Sequence, residues 1–326
     1  MADLERLQQK WPGEPLVVLR QHYLLDIKVN KKGGLTIRYL EEEAHVYTSR
    51  TAQQYAERSM DYSGQLPLSA IEAYTLVPDG DKYRKKAVEE FTVKDAFSAG
   101  VFHDGSKTTE FLYPGLVQGA QTVLNYSLDI QQPQFIPGVF LKSGLPIETL
   151  EFTILCDPEV ELGFSYVNMP ASDQGFAEST VKKRKKYVWR QENIARSRRE
   201  RRSPNGRYYL PHIIPRVKHY TLKGEKVPVL EDLSDLHGWY ASLIKDVNQE
   251  TSDELKAIVD SLTAGVDDEL EKVRNIYYWV QDNVKYIAFE EGMEGFIPKE
   301  ASQVCQSRYG DCKGMSSIIH AMLKEA

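Results

Sequence analysis

The chain has 326 residues, of which 41% are hydrophobic and 27% are charged, and its formal net charge is -6 at pH 7. This length suits about two domains of roughly 150 residues each, and the composition is ordinary for a globular protein. The acidic balance gives no reason to expect a nucleic-acid partner, and no apolar run approaches the ~20 residues that cross a membrane, so we expect neither nucleic-acid binding nor membrane insertion.

The first part of the chain, from about Leu16 to Tyr220, has the pattern of β-strands. Runs rich in Val, Ile, Thr, Tyr and Phe often alternate in polarity and are separated by turn sequences such as NKKGG and PDGDK. The predicted strands are LLDIKVN, GLTIRYLEEEAHVYT, KAVEEFTV, KTTEFLYPGL, TVLNYSLDI and IETLEFTILC. Many short strands at this spacing predict antiparallel sheets packed face to face, so we expect a β-sandwich domain over residues 1–225.

After these strands the hydrophobic period changes to that of helices. The apolar residues that share one face of the first predicted helix are Trp239, Leu243 and Val247. Thr251 and Glu254 have the spacing of a capping box, and Gly265 would end the helix that they begin. A longer helix is predicted from Asp267 to Asn283, followed by a short strand KYIAF. An α+β domain over residues 226–326 is therefore expected after the β domain.

The segment RYGDCKGMSSIIHAML places Cys312 at the first turn of a predicted helix. The apolar stripe of that helix is Met315, Ile318, Ile319, Met322 and Leu323. Cys312 lies at the N-terminal end of the stripe, so its sulfur is expected to face inward. The free N–H groups at a helix start favour a thiolate, Gly310 would leave space for a substrate, and Asp311 could cap the helix. The alternative is a buried structural cysteine, and spacing alone does not separate the two.

The other two cysteines are predicted to be structural. Cys156 ends a strand run and Cys305 lies in a polar connecting segment. Three cysteines do not make a disulfide framework, which leaves the redox compartment open. The N-terminal sequence MADLERLQQKWPGEP has no basic region followed by an apolar one, so it is not a signal peptide as written, and the localisation also stays open.

A basic stretch, KKRKKYVWRQENIARSRRERRSPNGR, raises the question of an anionic partner. The favoured interpretation is a solvated edge strand plus an exposed loop, because charge runs usually face solvent and basic side chains discourage pairing between strand edges. The aromatic side chains that could stack on bases within this stretch are Trp189, Tyr208 and Tyr209. We therefore predict no nucleic-acid site here.

The C-terminal segment VRNIYYWVQDNVKYIAFEEGMEGFIPKEASQVCQSRYGDCKGMSSIIHAMLKEA resembles the start of a bacterial transglutaminase-like core, a branch of the papain-like cysteine fold. The β half is similar, in IEAYTLVPDGDKYRKKAVEEF and FLYPGLVQGAQTVLNYSL, to the bacterial domain of unknown function 3857 that often precedes such cores. The resemblance implies a Cys-His-Asp triad for acyl transfer, with Cys312 as the nucleophile and its own N–H as an oxyanion donor. The resemblance also implies an upstream aromatic residue that shapes the site, for which Tyr286 is the candidate, next to Gly310 and Asp311; the alternative for Tyr286 is core packing.

The resemblance also implies that the histidine and the aspartate follow well downstream of the cysteine. The chain stops at Ala326, which is 326 − 312 = 14 residues after Cys312. His320 is on the same predicted helix, about 12 Å along its axis, and so beyond hydrogen-bond reach of the nucleophile. The remaining histidines, for which no role as the base is expected, are His22, His45, His103, His212, His219 and His237.

These observations favour the front part of a cysteine hydrolase or transferase, acting on a peptide or protein substrate without a cofactor or metal. This chain alone is expected to be inactive, and the missing part of the core is expected to cover the last helix. Family habit suggests a periplasmic or cell-envelope location. The alternative function is a non-catalytic β-sandwich module that binds an envelope peptide or glycan and carries a degenerate core; a third possibility is a structural remnant. The sequence does not decide between hydrolysis and transamidation, and it does not determine the oligomeric state.

Overall fold

A computed structural model describes residues 2–96, 105–170, 175–288 and 292–326. The chain divides into two compact units. The first comprises residues 1–94 and 108–235, and the second comprises residues 95–107 and 236–326. His103 lies outside the described residues, and the domain boundary expected at residue 225 stays a prediction.

The first unit is built of strands after one short N-terminal helix. Its elements are α1 (Ala2–Lys10), β1 (Leu16–Val29), β2 (Leu35–Tyr47), β3 (Glu57–Tyr62), β4 (Leu68–Asp79), β5 (Lys82–Ala87), β6 (Thr92–Asp95), β7 (Lys107–Leu112), β8 (Gln121–Ile130), β9 (Val139–Phe140), β10 (Ile147–Cys156), β11 (Val160–Val167), β12 (Phe176–Val181), β13 (Arg184–Ile194), β14 (His212–Leu222) and β15 (Glu225–Pro228). The helix α2 (Leu233–Ile244) follows.

Three sheets organise these strands. The largest has eight strands in the order β12-β13-β10-β1-β2-β8-β4-β5, the second joins β11, β14 and β15 with β9 added to β14, and the third has the order β3-β7-β6. The β-rich half followed by helices is confirmed. The large sheet is mixed rather than purely antiparallel, because β1 and β10 run parallel. That pairing joins strands that are distant in the chain, so no local sequence pattern predicts it.

The main core lies between the large sheet and the second sheet, as a sandwich requires. Phe152 and Trp189, from neighbouring strands of the large sheet, stack with ring centroids 5.2 Å apart and are fully buried. Ile213 and Val160 contribute to the same core from the second sheet. Each large apolar side chain buried in this way stabilises the fold by about 1.5–3 kcal/mol.

Some predicted boundaries are wrong. The run KAVEEFTV is not one strand, since β5 ends at Ala87 and β6 begins only at Thr92. Ser252, and not Thr251, caps the next helix, where its hydroxyl accepts the Leu255 N–H. Of the strand predicted over KYIAF, the first two residues form a strand and the next two do not, while Phe289 lies outside the described residues. In the two strand runs, the hydrophobic pattern continues past the place where the backbone stops pairing.

The second unit packs short helices around one core. Its remaining elements are α3 (Asp253–Thr263), α4 (Glu269–Asn283), β16 (Lys285–Tyr286), α5 (Ala301–Ser307), β17 (Tyr309–Gly310) and α6 (Cys312–Glu325). Gly265, with a left-handed backbone (φ +71°), follows the end of α3 as predicted. The core residues from the four helices α3 to α6 are Leu255, Val259, Ile276, Val280, Ala301, Val304, Cys305, Ile318, Ala321 and Met322. The apolar stripe of α6 is therefore largely covered within this unit.

Two glutamates of β2 are removed from solvent to different degrees, since Glu43 is buried and Glu41 is half-buried. Glu41 accepts hydrogen bonds from Gln21 (2.6 Å), Tyr39 (3.2 Å) and Tyr126. Burial raises the pKa of Glu41 to about 7, although the Tyr126 hydroxyl opposes this shift. Burial would also raise the pKa of Glu43, but His45 and Arg58 outweigh it and lower that pKa. Glu41 is thus about half protonated near pH 7, while Glu43 is ionised.

We predict that Glu41→Gln removes a pH-dependent part of the stability. An unfolded glutamate has the ordinary pKa of 4.5, so the raised folded value means that Glu41 contributes its stability fully below about pH 4.5 and loses it as the pH rises to about 7. The loss amounts to about 3 kcal/mol. Urea denaturation of both proteins between pH 4.5 and pH 8 measures the difference in the free energy of unfolding.

Glu43→Gln is the matched control. It leaves Arg58 without its 2.6 Å partner, so it should destabilise the protein over the whole pH range instead of changing the slope between pH 4.5 and pH 7. Parallel stability profiles for the wild type and Glu41→Gln would contradict the burial argument.

Candidate active site

The start of α6 is fixed by the residue that precedes it. Asp311 is the N-cap, and its Oδ1 accepts the Gly314 N–H at 2.8 Å. Its Oδ2 pairs with the Lys313 ammonium group, and the side chain is only 5% exposed. Both carboxylate oxygens therefore have a partner, which offsets the cost of burying a charge. Cys312 is thereby placed as the first residue of the helix, as predicted.

The approach to α6 is held by a short strand pairing. Arg308 has a left-handed backbone (φ +59°) and ends α5. The next two residues form β17, which pairs in parallel with β16 so that Tyr286 lies opposite Gly310. The Ile287 N–H also donates to the Gly310 carbonyl oxygen at 3.0 Å. The turn into Cys312 thus has little freedom.

Two glycines allow α5 and α6 to approach closely. A Cβ atom built at Gly310 would lie 3.4 Å from Val304 Cγ1, and one at Gly314 would lie 3.3 Å from Val304 Cγ2. The space beside Gly310 is therefore filled by Val304 and Gly314. The predicted role of Gly310 in shaping a substrate site stays a prediction.

The sulfur of Cys312 does not face the core, which corrects the inward orientation predicted from the apolar stripe. Cys312 is exposed. At 100° per residue, Cys312 is rotated about 120° around the axis from the buried Ile318. It instead shares its side of α6 with Ser316 and His320, which are also exposed. The spacing of apolar residues alone does not determine the rotation of a helix about its axis closely enough to show which way such a side chain faces.

Cys312 opens onto a cleft of about 460 Å³ in the second unit. The lining residues are Tyr240, Ile244, Val247, Asn248, Pro298, Cys312, Lys313, Ser316, Ser317 and His320. One wall is mainly apolar, from α2 and Pro298, and the other is the polar side of α6. Tyr286 is not among the lining residues, and its side chain is 57% exposed. Its role in the site stays a prediction.

Asn248 is a residue that the sequence did not single out. Its Oδ1 accepts the Ala301 N–H at 2.7 Å, at the start of α5, and its Nδ2 donates to the Ser317 hydroxyl at 2.8 Å. Its own N–H donates to Glu300 at 2.9 Å. One amide thus joins α5 to α6 at the cleft. Its left-handed backbone (φ +56°) depends on tertiary packing, so only the preference of Asn for such positions could have pointed to it.

The other two cysteines are buried. Burial raises the pKa of the Cys156 thiol to about 11. Burial, followed by the Glu254 carboxylate, also raises the pKa of Cys305, which lies within α5 instead of a connecting segment. Both thiols are therefore protonated at neutral pH and shielded from solvent, while Cys312 is accessible.

No hydrogen bond joins Cys312 to a histidine among the described residues. His320 lines the same cleft, but it is eight residues along the helix, or about 12 Å. Across the ranges that the structure covers, no group of three or more His, Cys, Asp or Glu side chains is arranged to hold a metal ion. None of the helices in those ranges has the length and hydropathy of a membrane span.

Comparison with known families and structures identifies the second unit by class. Residues 256–326 match the transglutaminase-like superfamily. Residues 33–198, half of the chain, match the domain of unknown function DUF3857, of which a structure has been solved. The chain therefore belongs to the DUF3857 family, with part of a transglutaminase-like core at its C-terminal end. No curated protein matches the sequence.

Among solved structures, a candidate protease from Parabacteroides distasonis ATCC 8503 shares the fold, with a TM-score of 0.65 and 19% identity. The match covers 96% of this chain and 59% of that protein, so the chain spans less than two thirds of its length. An M1 zinc metallopeptidase from Deinococcus radiodurans has a TM-score of 0.31 and 12% identity, and the match covers 66% of this chain and 46% of that protein. Aminopeptidase A from Legionella pneumophila has a TM-score of 0.32 and 10% identity, and the match covers 78% of this chain and 28% of that protein. These last two likenesses are too weak to carry an argument.

We predict that iodoacetamide at neutral pH labels Cys312 before the other thiols. The raised pKa values and burial of Cys156 and Cys305 should slow their reaction by about tenfold or more relative to Cys312. Peptide mass mapping over time measures the three rates, with Cys312→Ser as the control for assignment. Equal rates at all three cysteines would contradict the accessible position of Cys312.

We also predict that Asn248→Gly lowers the free energy of unfolding by about 1–3 kcal/mol, because it leaves the Ala301 N–H and the Ser317 hydroxyl without their partner. Glycine retains the left-handed backbone, so the change isolates the amide. The matched control is Lys223→Gly, at another left-handed position (φ +53°) whose side chain is exposed. The control should change stability by no more than about 0.5 kcal/mol. Equal effects in the two variants would rule out the bridging role of Asn248.

Proposed function

We propose that the second unit belongs to a cysteine acyl-transfer enzyme, a peptidase, amidase or transamidase, in which Cys312 is the nucleophile. The observation that carries this proposal is an accessible thiol on the first residue of α6, at the mouth of a cleft. A helix N-terminus stabilises a thiolate through its free N–H groups and its dipole. The match to the transglutaminase-like superfamily supports the same assignment.

The chemistry follows from the position of the sulfur. The Cys312 thiolate attacks the carbonyl carbon of a peptide or carboxamide, the C–N bond breaks, and the amine or ammonia leaves after taking a proton from a general acid. The thioester that remains is cleaved by water or by a second amine. The N–H of Cys312 has no intrahelical acceptor at this position, so it is available for the oxyanion. Asp311 occupies the Gly314 N–H and keeps the helix start in place.

A peptide or protein substrate suits the cleft. Tyr240, Ile244 and Pro298 offer an apolar wall for a substrate side chain. Lys313, Ser316 and His320 face it with donors that can bind a peptide backbone. These contacts support an extended chain with an apolar residue near the scissile bond.

The general base is proposed to come from a further part of the core. The family resemblance implies a histidine and an aspartate after the cysteine in chain order, and His320 is too distant to replace them. Apolar side chains remain exposed on one face of α4: Leu270, Val273 and Tyr277 are 64%, 43% and 54% exposed. Such a stripe is a natural docking face for that further part. The cover that was predicted for the last helix would then lie over α4, since the apolar stripe of α6 is already largely covered within the second unit.

We predict that Cys312→Ala in the whole enzyme abolishes turnover, with a loss of ~10³-fold or more. The release of ammonia measures hydrolysis of a peptide carboxamide, and the incorporation of a fluorescent amine measures transamidation. Cys305→Ala serves as the control, because that thiol is buried in the core of the second unit and should affect stability more than chemistry. Retained turnover in Cys312→Ala would exclude this residue as the nucleophile and favour the non-catalytic binding function.

A further inference from the structure

The basic stretch of the first unit separates into two parts with different environments. In the first part, basic side chains of β13 are satisfied within the fold. Arg184 donates to Asp157 at 2.7 Å and to Asp26 at 2.6 Å. Arg190 pairs with Glu192 at 2.8 Å. The edge strand predicted here is wrong, because β13 pairs with β12 on one side and with β10 on the other.

The second part is an irregular loop between β13 and β14, in which most of the arginines form no ion pair with the residues that the structure describes. Residues 196–207 contain six arginines and one glutamate, a net charge of +5, so the rest of the chain carries -6 − 5 = -11. Arg196 pairs with Glu14 at 2.9 Å. Arg207 is exposed and lies over the Tyr208 ring, with its guanidinium carbon 5.9 Å from the ring centroid. The other exposed arginines that have no ion pair among the described residues are Arg198, Arg199, Arg201 and Arg202. We call these four residues the arginine cluster.

The loop that carries the arginine cluster is held by the fold. The Ser197 N–H donates to the Ser143 carbonyl oxygen at 2.7 Å, and the Leu210 N–H donates to Gly206 at 2.8 Å. Asn168 Nδ2 donates to the Tyr208 carbonyl oxygen at 3.0 Å. Part of the conformational entropy of the loop is therefore already lost before a ligand binds, which favours binding.

A cavity of about 320 Å³ lies beside the cluster. Its lining includes Arg199, Ser197, Asn205 and Tyr209. A guanidinium group, a hydroxyl group and an amide around one small space provide donors suited to a phosphate group. Tyr208 next to it is 68% exposed, and tyrosine rings of this kind favour the interface between water and lipid headgroups.

We propose that the loop of residues 196–209 docks the first unit on an anionic phospholipid surface, with a lipid phosphate in the cavity beside Arg199. Arginine clusters with adjacent tyrosines bind anionic headgroups through charge and through the interfacial preference of the rings. A bilayer surface can be contacted by this loop alone. A nucleic-acid strand would extend beyond the loop along a chain that is otherwise strongly acidic, and the repulsion between the negative charges disfavours nucleic-acid binding. The contact is peripheral and needs no membrane-spanning segment.

The test is binding of the chain to sedimented vesicles of phosphatidylglycerol mixed with phosphatidylcholine, compared with phosphatidylcholine alone. We expect binding to the anionic vesicles only, and weakening when salt is raised well above the ~0.1 M at which the screening length is about 10 Å. Replacing Arg198, Arg199, Arg201 and Arg202 by Gln should reduce the partition coefficient by about tenfold or more. Replacing Tyr208 and Tyr209 by Ser should reduce it by about threefold, since the rings add a smaller apolar part.

A matched control removes the same charge elsewhere in the first unit. Four exposed or half-buried basic residues lie on the edge strand β5: Lys82, Arg84, Lys85 and Lys86. Their replacement by Gln should leave vesicle binding within about twofold of the wild type, since they are not part of the loop. Thermal unfolding of each variant establishes that it is folded.

Several outcomes would overturn the proposal. These are no binding of the wild type to anionic vesicles, equal losses in the loop and β5 variants, or release of the bound chain by excess inorganic phosphate at constant ionic strength, which would indicate a free-anion site. Loop-dependent binding of single-stranded RNA without vesicle binding would assign the surface to nucleic acid instead.

Discussion

The candidate site depends on one buried carboxylate, that of Asp311. Its two oxygens are occupied by the Gly314 N–H and the Lys313 ammonium group, so the charge is compensated within the fold. Because the cap fixes where α6 begins, it also fixes Cys312 as the first helical residue, with its N–H free of intrahelical acceptors. A shift of α6 by one residue would turn the sulfur by about 100° and move it away from the cleft.

The surroundings of this cap restrict it further. The β16–β17 pair positions the turn before Asp311, and the contact of Val304 with Gly310 and Gly314 sets the spacing of α5 and α6. Asn248 closes the arrangement from the cleft side by bonding to both helices. Cys312 is thus held in place by several contacts, and the groups around it belong to elements that are distant in sequence.

The sequence predicted the local features well. The β-rich half, the start of α6, the Asp311 cap and the end of α3 at Gly265 all follow from residue types whose preferences act over a few neighbours. It failed where several weak local signals compete. Ser252 and Thr251 are both good caps, and only the path of the chain selects Ser252. Alternation alone also did not show that Glu41 and Glu43 lie on the buried side of β2.

The sequence by itself determined the class of fold, the position of the cysteine at a helix start and the identity of its cap, because each depends on short-range geometry. The tertiary structure decided which way the sulfur faces, which arginines find acid partners, and that Asn248 joins two helices. These depend on the rotation of a helix against its neighbours and on contacts across tens of residues. No local pattern encodes such contacts, since their energy is gained only when the distant segments meet.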